Sequence, residues 1–360
     1  MESLVKVENL DFWHQKKVFI TGHTGFKGSW LSILLNHLGS EVYGFALEPN
    51  TETSLFNESG LRTKINSFIG NILDKETLTE KVKEFQPEIV FHMAAQPLVR
   101  ESYDQPILTL NTNIIGTANI LEACRMSDSV YSFINITTDK CYLNEELGIP
   151  FVENDHLGGK DIYSASKASS EIITKAYRDS FFNGSKCKIA TARAGNVIGG
   201  GDWSDNRLIP DIVKALNSNK DPEIRAPDSI RPWQHVLDPL FGYMNLAQKL
   251  YINKSYDEAW NFGPSEEDSI TVKEMTTEFI KLWQLNKTII LNQNEKNPYE
   301  SKTLKLDITK AKEKLNWQPI FSINETIKTT ALWYKEFYKA KKDAYELCIA
   351  DINKFLSKKI

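Results

Sequence analysis

The chain has 360 residues, 41% of them hydrophobic, which is enough to bury a sizeable core in one large domain or two intimately joined ones and excludes a disordered chain. Its 43 basic and 47 acidic residues are interspersed and leave a net charge of −4, so a nucleic-acid surface or a polybasic membrane patch is not indicated; small molecules or like subunits are the expected partners. Four cysteines, Cys124, Cys141, Cys187 and Cys348, lack CxxC spacing, which argues against a zinc site or a disulfide framework and for a reducing compartment. No metal site is expected. With no run of ~18 apolar residues, and an N-terminal stretch that carries acids without an apolar segment of signal-peptide length, the expected location is the cytoplasm.

Residues 16–38 organise the rest of the chain. Val18, Phe19 and Ile20 form an apolar run of the kind buried on both faces of a parallel sheet, and glycines come next at Gly22, Gly25 and Gly28. Leu31, Leu34, Leu35 and Leu38 then recur at helical spacing until Gly39 ends the helix. A strand, a glycine turn and a helix N-terminus offer unpaired N–H groups to a phosphate; the same order also occurs in ordinary tight turns. Further strands are predicted at 41–47, 67–70, 88–95, 131–137 and 188–193, and helices at 75–85, 107–124 and 163–182.

This alternation implies a Rossmann-like, doubly wound parallel sheet of α/β class, with ligands beyond the C-terminal strand ends. From Gly195 onward glycines and prolines become frequent; regularity returns with a helix at 238–250 and a strand at 259–262. Amphipathic segments lie at 272–285, 310–315 and 323–337, and the tail 338–360 reads as another amphipathic helix with a solvated lysine face. The expected division is a sheet domain over 1–194, to which 236–263 returns, and a smaller, interleaved substrate-binding region of 195–235 and 264–360.

Chemistry concentrates in Tyr163 and Lys167, four residues apart and therefore on one helix face. A phenol of pKa ~10 is a poor base near neutrality, and a neighbouring cation favours its phenolate. YxxxK also arises by chance as a surface pair. The strand before it ends in Thr137, Thr138, Asp139 and Lys140.

The order of glycine turn, Thr-Asp-Lys and YxxxK resembles the extended short-chain dehydrogenase/reductases, and within them the nucleotide-sugar 4,6-dehydratases. In these a Thr-Asp-Glu triplet is usual, so Lys140 for glutamate is a departure. The segments GHTGFKGSWL, HMAAQPLVR, TDKCY, RAGNVIGGGDW and IRPWQHVLDPL narrow the resemblance to one branch, and the likeness runs from Phe12 to about Gly263.

The resemblance implies bound NAD and a nucleotide-linked glucose, CDP-D-glucose above all, with transient oxidation at C4, loss of water across C5 and C6, and hydride return to C6. It also implies a role in making deoxysugars, including those of lipopolysaccharide O-antigens. Tyr163, aided by Thr138 and Lys167, would take the O4 proton, and Asp139 would protonate the departing hydroxyl. Lys140 would be the C5 base as a neutral amine, or would steer Asp139 electrostatically.

By the same resemblance Gly22, His23, Thr24, Gly25, Phe26, Lys27, Gly28, Asn71, Ile72, Ala94, Ala95, Gln96 and Asn113, with Tyr163 and Lys167, would hold the cofactor. His23 would belong by position, its side chain being structural. The second strand ends Phe45-Ala46-Leu47 without the acid usual for ribose hydroxyls; Glu48 comes late, and no arginine replaces it. Gln96, Arg100, Thr138, Asp139, Arg193, Asn196 and Arg231 are the candidates for the sugar nucleotide, the arginines because planar donors suit a diphosphate. Arg231 could instead hold an internal carboxylate. Trp203 and Trp233 are either stacking platforms or core, and His235 reads as structural. A homodimer or homotetramer would form through the helices at 107–124 and 163–182.

Overall fold

The computed structural model describes residues 10–252, 254–265, 269–292 and 304–358. Residues 1–9 of the expected sheet domain and 359–360 of the expected tail helix lie outside these.

Strand β1 (Lys17–Thr21) lies next to the central strand of a seven-stranded sheet. The other strands are β2 (Glu41–Ala46), β3 (Asn66–Ile69), β4 (Ile89–His92), β5 (Ser132–Ile136), β6 (Lys188–Ala194) and β7 (Ala259–Phe262), in the spatial order β7-β6-β5-β4-β1-β2-β3. Every pairing is parallel. All residues of β4, β5 and β6 are buried, as expected of strands covered on both faces. The order reverses between β1 and β4, and the crevice outside the strand ends at such a switch point is where ligands bind in open α/β sheets.

Helix α1 (Phe26–His37) begins directly after the glycine turn, with Gly25 as its N-cap. Trp30, Leu31, Ile33, Leu34 and Leu35 are all buried, so this helix is covered on both sides. Its outer cover comes from the end of the chain. Helices α2 (Lys75–Phe85), α3 (Gly116–Arg125) and α4 (Ile162–Tyr177) complete the front half. Asp161 caps α4, its carboxylate accepting from Ser164 N at 2.9 Å and Ser164 Oγ at 2.7 Å. That cap sets the first turn of α4 and hence where Tyr163 points.

Three expectations need correction. The helix expected over 107–124 is continuous but not α-helical throughout: Pro106–Leu110 leads through a π-helical turn at Asn111–Ile115 into α3. Likewise the helix expected over 163–182 is α4 followed by a π-helical turn at Arg178–Phe182. Third, not all of 264–360 covers the substrate region. Helix α9 (Ala344–Ser357) packs on α1, with Asn36 Nδ2 donating to Tyr345 Oη at 3.0 Å and His37 bonded to Asn353 at 3.2 Å. Its Leu347, Cys348, Ile352 and Phe355 join the main apolar core, closing the side of α1 that the sheet leaves open.

Between these parts run α5 (Leu208–Asn217), α6 (Leu237–Ile252), α7 (Val272–Trp283) and α8 (Ile323–Ala340). Two-residue and three-residue strand pairs tie the covering segments together: Val197–Ile198 with Gln234–His235, Ile230–Pro232 with Ser269–Thr271, and Glu223–Ile224 with Ile290–Leu291. Among the described residues no helix is long and apolar enough to cross a membrane.

Candidate active site

A cleft of about 900 Å³ opens beyond the C-terminal ends of β1, β2, β4, β5 and β6, roofed by residues 195–211 and 223–233. Its size lies near the upper end for ligand sites.

One wall is the glycine turn, whose glycines are required for different reasons. Gly22 has φ +79°, and a Cβ there would stand 2.6 Å from Ala94 N. At Gly28 a Cβ would fall 2.1 Å from Gly22 O, so it is the close packing of turn and helix that needs glycine. Gly25 differs: its φ is ordinary, and a Cβ would touch protein only at Gly22 O, 3.5 Å away, while Gly25 lines the cleft. A Cβ at Gly25 would thus make only ordinary contact with the protein. Such a cradle at a helix N-terminus fits a pyrophosphate.

Around it Thr24, Phe26, Lys27, Asn71, Ile72, Ala94, Ala95 and Gln96 all line the cleft. Thr24 Oγ1 donates to Leu47 O at 2.8 Å, and Asn71 Oδ1 accepts from Leu73 N at 2.9 Å, fixing the rim. The carboxamide of Gln96 is held within its own loop, donating to Leu98 O at 3.0 Å and Thr109 Oγ1 at 2.8 Å. Asn113 is buried behind that loop and outside the cleft lining. Its Oδ1 accepts from Gln96 N at 2.8 Å and its Nδ2 donates to Ser166 Oγ at 2.8 Å, so it ties the loop to α4. His23 also lies outside the lining. It is fully buried, its Nε2 is 2.7 Å from Ser67 Oγ, and burial, then the nearby Arg62, pull it down to about 4.

Glu48, two residues past the end of β2, does reach the cleft, and Arg62 stands beside it with Nη2 at 2.5 Å.

The opposite wall carries the candidate reacting groups. Thr138, Asp139 and Lys140 come directly after β5, and Tyr163 and Lys167 project from α4 to the same cleft. Asp139 is buried; its Oδ1 accepts from Thr138 Oγ1 at 3.0 Å and from Lys140 Nζ at 3.4 Å. Its Oδ2 lies 2.7 Å from where a Cβ at position 195 would stand, so Gly195 makes room for this carboxylate. Lys167 Nζ donates to Ile136 O at 3.3 Å, and burial, only partly opposed by Glu171, lowers its pKa to about 8.

Tyr163 behaves differently from the expectation that a cation would favour its phenolate. Burial pushes it up to about 12, with Thr138's hydrogen bond lowering it and Asp139's charge raising it again. Lys27, whose Nζ sits 5.7 Å from the centre of the Tyr243 ring, is brought down to about 8 by burial and by Lys167 and Arg207, against Asp139. Among the described residues no group of His, Cys, Asp and Glu could hold a metal.

Arg100, Asn196 and Arg231 line the covered end of the cleft, whereas Arg193, expected there, does not. Arg193 is buried beneath the cleft and spends its donors on Glu171, Tyr142 and Glu153 O. The reason is topological: its side chain leaves β6 on the face covered by α4, where Glu171 awaits it. Arg207, which sequence reasoning passed over, lines the cleft instead, its Nη1 2.9 Å from Asp202 Oδ2 and its charge felt by Tyr163. No sequence pattern marked it. Trp203 and Trp233 are both buried and both border the cleft, Trp203 fixed by a bond from its Nε1 to Tyr338 Oη at 2.8 Å. His235 is fully buried, as a structural residue should be.

The family model described as GDP-mannose 4,6 dehydratase matches residues 19–330. The chain belongs to that family of extended short-chain dehydrogenase/reductases. Within the family, it is 46% identical over 337 residues to a CDP-glucose 4,6-dehydratase of Salmonella typhimurium, covering 92% of this chain and 94% of that protein. Solved structures share its fold. A UDP-glucose 4-epimerase of Thermotoga maritima with UDP-glucose superposes with a TM-score of 0.78 at 22% identity, over 89% of this chain and 99% of the other. A dTDP-glucose 4,6-dehydratase of Bacillus anthracis in complex with NAD gives 0.74 at 22%, over 91% and 100%.

Proposed function

We propose that this chain is a CDP-glucose 4,6-dehydratase, a hydro-lyase that converts CDP-D-glucose to CDP-4-dehydro-6-deoxy-D-glucose and water with NAD as bound cofactor. The observation that carries the reading is the placement of Thr138, Asp139, Lys140, Tyr163 and Lys167 on one cleft wall, facing a glycine cradle that only a ligand requires to be bare at Gly25. The extensive identity to the Salmonella enzyme selects the nucleotide. NAD would be held by the glycine turn together with Tyr163 and Lys167, and when bound would supply a reversible hydride acceptor.

The side chains divide the remaining work. Tyr163, as phenolate, takes the O4 proton, and Thr138 supports that charge with its hydroxyl. Oxidation at C4 makes the C5 hydrogen acidic. Elimination then breaks C5–H and C6–O together: a base takes the C5 proton while Asp139 protonates the departing hydroxyl, which leaves as water. Lys140 stands beside Asp139 and is either that base, as a neutral amine, or the cation that orients the acid. Hydride addition at C6 and proton return to C5 complete the 6-deoxy product; Tyr163 then releases the proton it took from O4, and Asp139 regains the one it gave to the departing hydroxyl. A 4-epimerase would need no acid at C5–C6, so the buried Asp139 with its Lys140 partner favours dehydration.

Roles at the substrate end are assigned by position. Arg100, Arg231, Asn196 and Gln96 would meet the sugar nucleotide, and Arg207 extends that cationic set. We also place the enzyme in the cytoplasm, on the strength of four free, buried cysteines, and in deoxysugar assembly, O-antigen sugars included, as its product class suggests. A homodimer or tetramer is supported by exposed Ile107, Leu108, Ile115, Ile172 and Phe181 on the two helical stretches.

Incubation with CDP-, UDP-, dTDP- and GDP-linked glucose, followed by alkali, tests the reading by the absorbance of a 4-keto product. CDP-glucose should react fastest; no product from any of them would overturn the assignment.

A further inference from the structure

Beneath the cleft floor lies a buried polar cluster that the elimination and hydride-transfer chemistry leaves unused. Glu171, two turns beyond Tyr163 on α4, has both carboxylate oxygens doubly bonded. Oε1 accepts from the Thr137 hydroxyl and from Arg193 Nε at 3.0 Å; Oε2 accepts from Thr191 Oγ1 at 2.7 Å and Arg193 Nη2 at 2.9 Å. Arg193 then continues to the other side, its Nη1 donating to Tyr142 Oη at 2.7 Å and to Glu153 O at 2.9 Å, with its guanidinium 4.8 Å from the Tyr142 ring centre. Tyr142 Oη donates to Asn261 Oδ1 at 2.7 Å on β7, and its ring stacks on Phe151.

Thr137 and Tyr142 bracket the segment that carries Thr138, Asp139 and Lys140. One side chain before the reacting residues and one after them are fastened to a single ion pair, and that pair is anchored in the helix bearing Tyr163 and Lys167. We infer that Glu171 and Arg193, through Thr137 and Tyr142, are positioning residues that hold the elimination groups in register with the oxidation groups. Neither member of the ion pair lines the cleft, so the pair touches no ligand and acts through the groups it holds. The register matters because the same sugar must satisfy Tyr163 at O4 and Asp139 at C6, and a shift of about 1 Å is worth up to ~10²-fold in rate. A buried ion pair is weak evidence for stability but suits this role, since its many directional bonds fix one arrangement.

The inference rests on the dehydratase reading, and the wild type separates the two: turnover of CDP-glucose by the wild-type protein establishes the reading, and the variants then decide the inference. Tyr142→Phe cuts one fastening and Thr137→Val the other, without unpairing Glu171 from Arg193; Thr137→Ser keeps the hydroxyl. Steady-state kinetics, melting temperature and borohydride trapping of the sugar would be measured on each. The expected result is a kcat loss of tenfold or more in Tyr142→Phe and Thr137→Val with KM within threefold of wild type, together with a larger trapped fraction of 4-keto sugar that still bears its C6 hydroxyl, and recovery of kcat in Thr137→Ser. A raised KM at unchanged kcat would make the cluster part of substrate binding and overturn the inference. So would activity within twofold of wild type, or a kcat loss that tracks a lowered melting temperature and is not recovered by Thr137→Ser.

Discussion

Gly25→Val separates ligand from protein at the glycine turn. Its Cβ would meet only Gly22 O, at 3.5 Å, and φ −77° with ψ 166° is open to any residue, so the fold has no steric objection. Losing glycine at a helix N-cap costs about 1 kcal/mol, which for a chain of this length lowers the melting temperature by roughly 1–2 °C. The cofactor suffers far more. If the side chain displaces the pyrophosphate from two backbone N–H groups, each charge-assisted bond is worth about 1.5–3 kcal/mol, and affinity falls roughly 10²- to 10⁴-fold. Gly28→Ala is the contrast: its Cβ collides with Gly22 O at 2.1 Å, so the fold itself gives way. Calorimetric titration of NAD into cofactor-stripped protein, beside thermal melting, reads both quantities. Unchanged NAD affinity in folded Gly25→Val, or a melting loss as large as that of Gly28→Ala, would mean the phosphates lie elsewhere.

Other substitutions should fail at different points on one reaction path. Tyr163→Phe should stop oxidation and with it all exchange at C5, whereas Asp139→Asn should lose about 10²–10⁴ in kcat yet still yield a trappable 4-keto sugar with its C6 hydroxyl; less than tenfold at Asp139 would remove it as the acid. Lys140→Met distinguishes base from steering cation, because solvent deuterium should cease to enter C5 if Lys140 takes that proton and should enter at the wild-type rate if it does not. If the Lys167 ammonium is required, kcat/KM should fall above a pH of about 8, where burial places its titration, and Lys167→Arg should carry that limb out of range; an alkaline limb that persists near pH 8 in the arginine variant would assign it to another group. The same depressed value makes Lys167 cost stability at neutral pH, a cost that fades as pH rises from about 8 toward 10.5.

Much of this molecule is legible in the sequence because its signals are local. Apolar runs at Val18–Ile20 and spacing at Leu31–Leu38 report burial and period, and YxxxK places two side chains on one face whatever surrounds them. What failed depends on side-chain direction or on distant partners. Arg193 reads as a diphosphate ligand by residue type, yet β6 turns it toward Glu171 on α4, a partner 22 residues earlier. A tyrosine with lysine four residues on suggests a lowered pKa, and the opposite direction appears because burial outweighs the neighbours. The π-helical turn at Asn111–Ile115 has no signature in spacing either; it lets Asn113 face the loop at Gln96.

The central claim is that one hydride leaves C4 and returns to C6 of the same sugar. Conversion of CDP-(4-²H)glucose in ordinary water, with the product examined by NMR and mass spectrometry, tests it most directly. The label should be retained and found at C6 of CDP-4-dehydro-6-deoxy-D-glucose. A product keeping deuterium at C4, as an epimer would, or a 6-deoxy product with no label at C6, would contradict it.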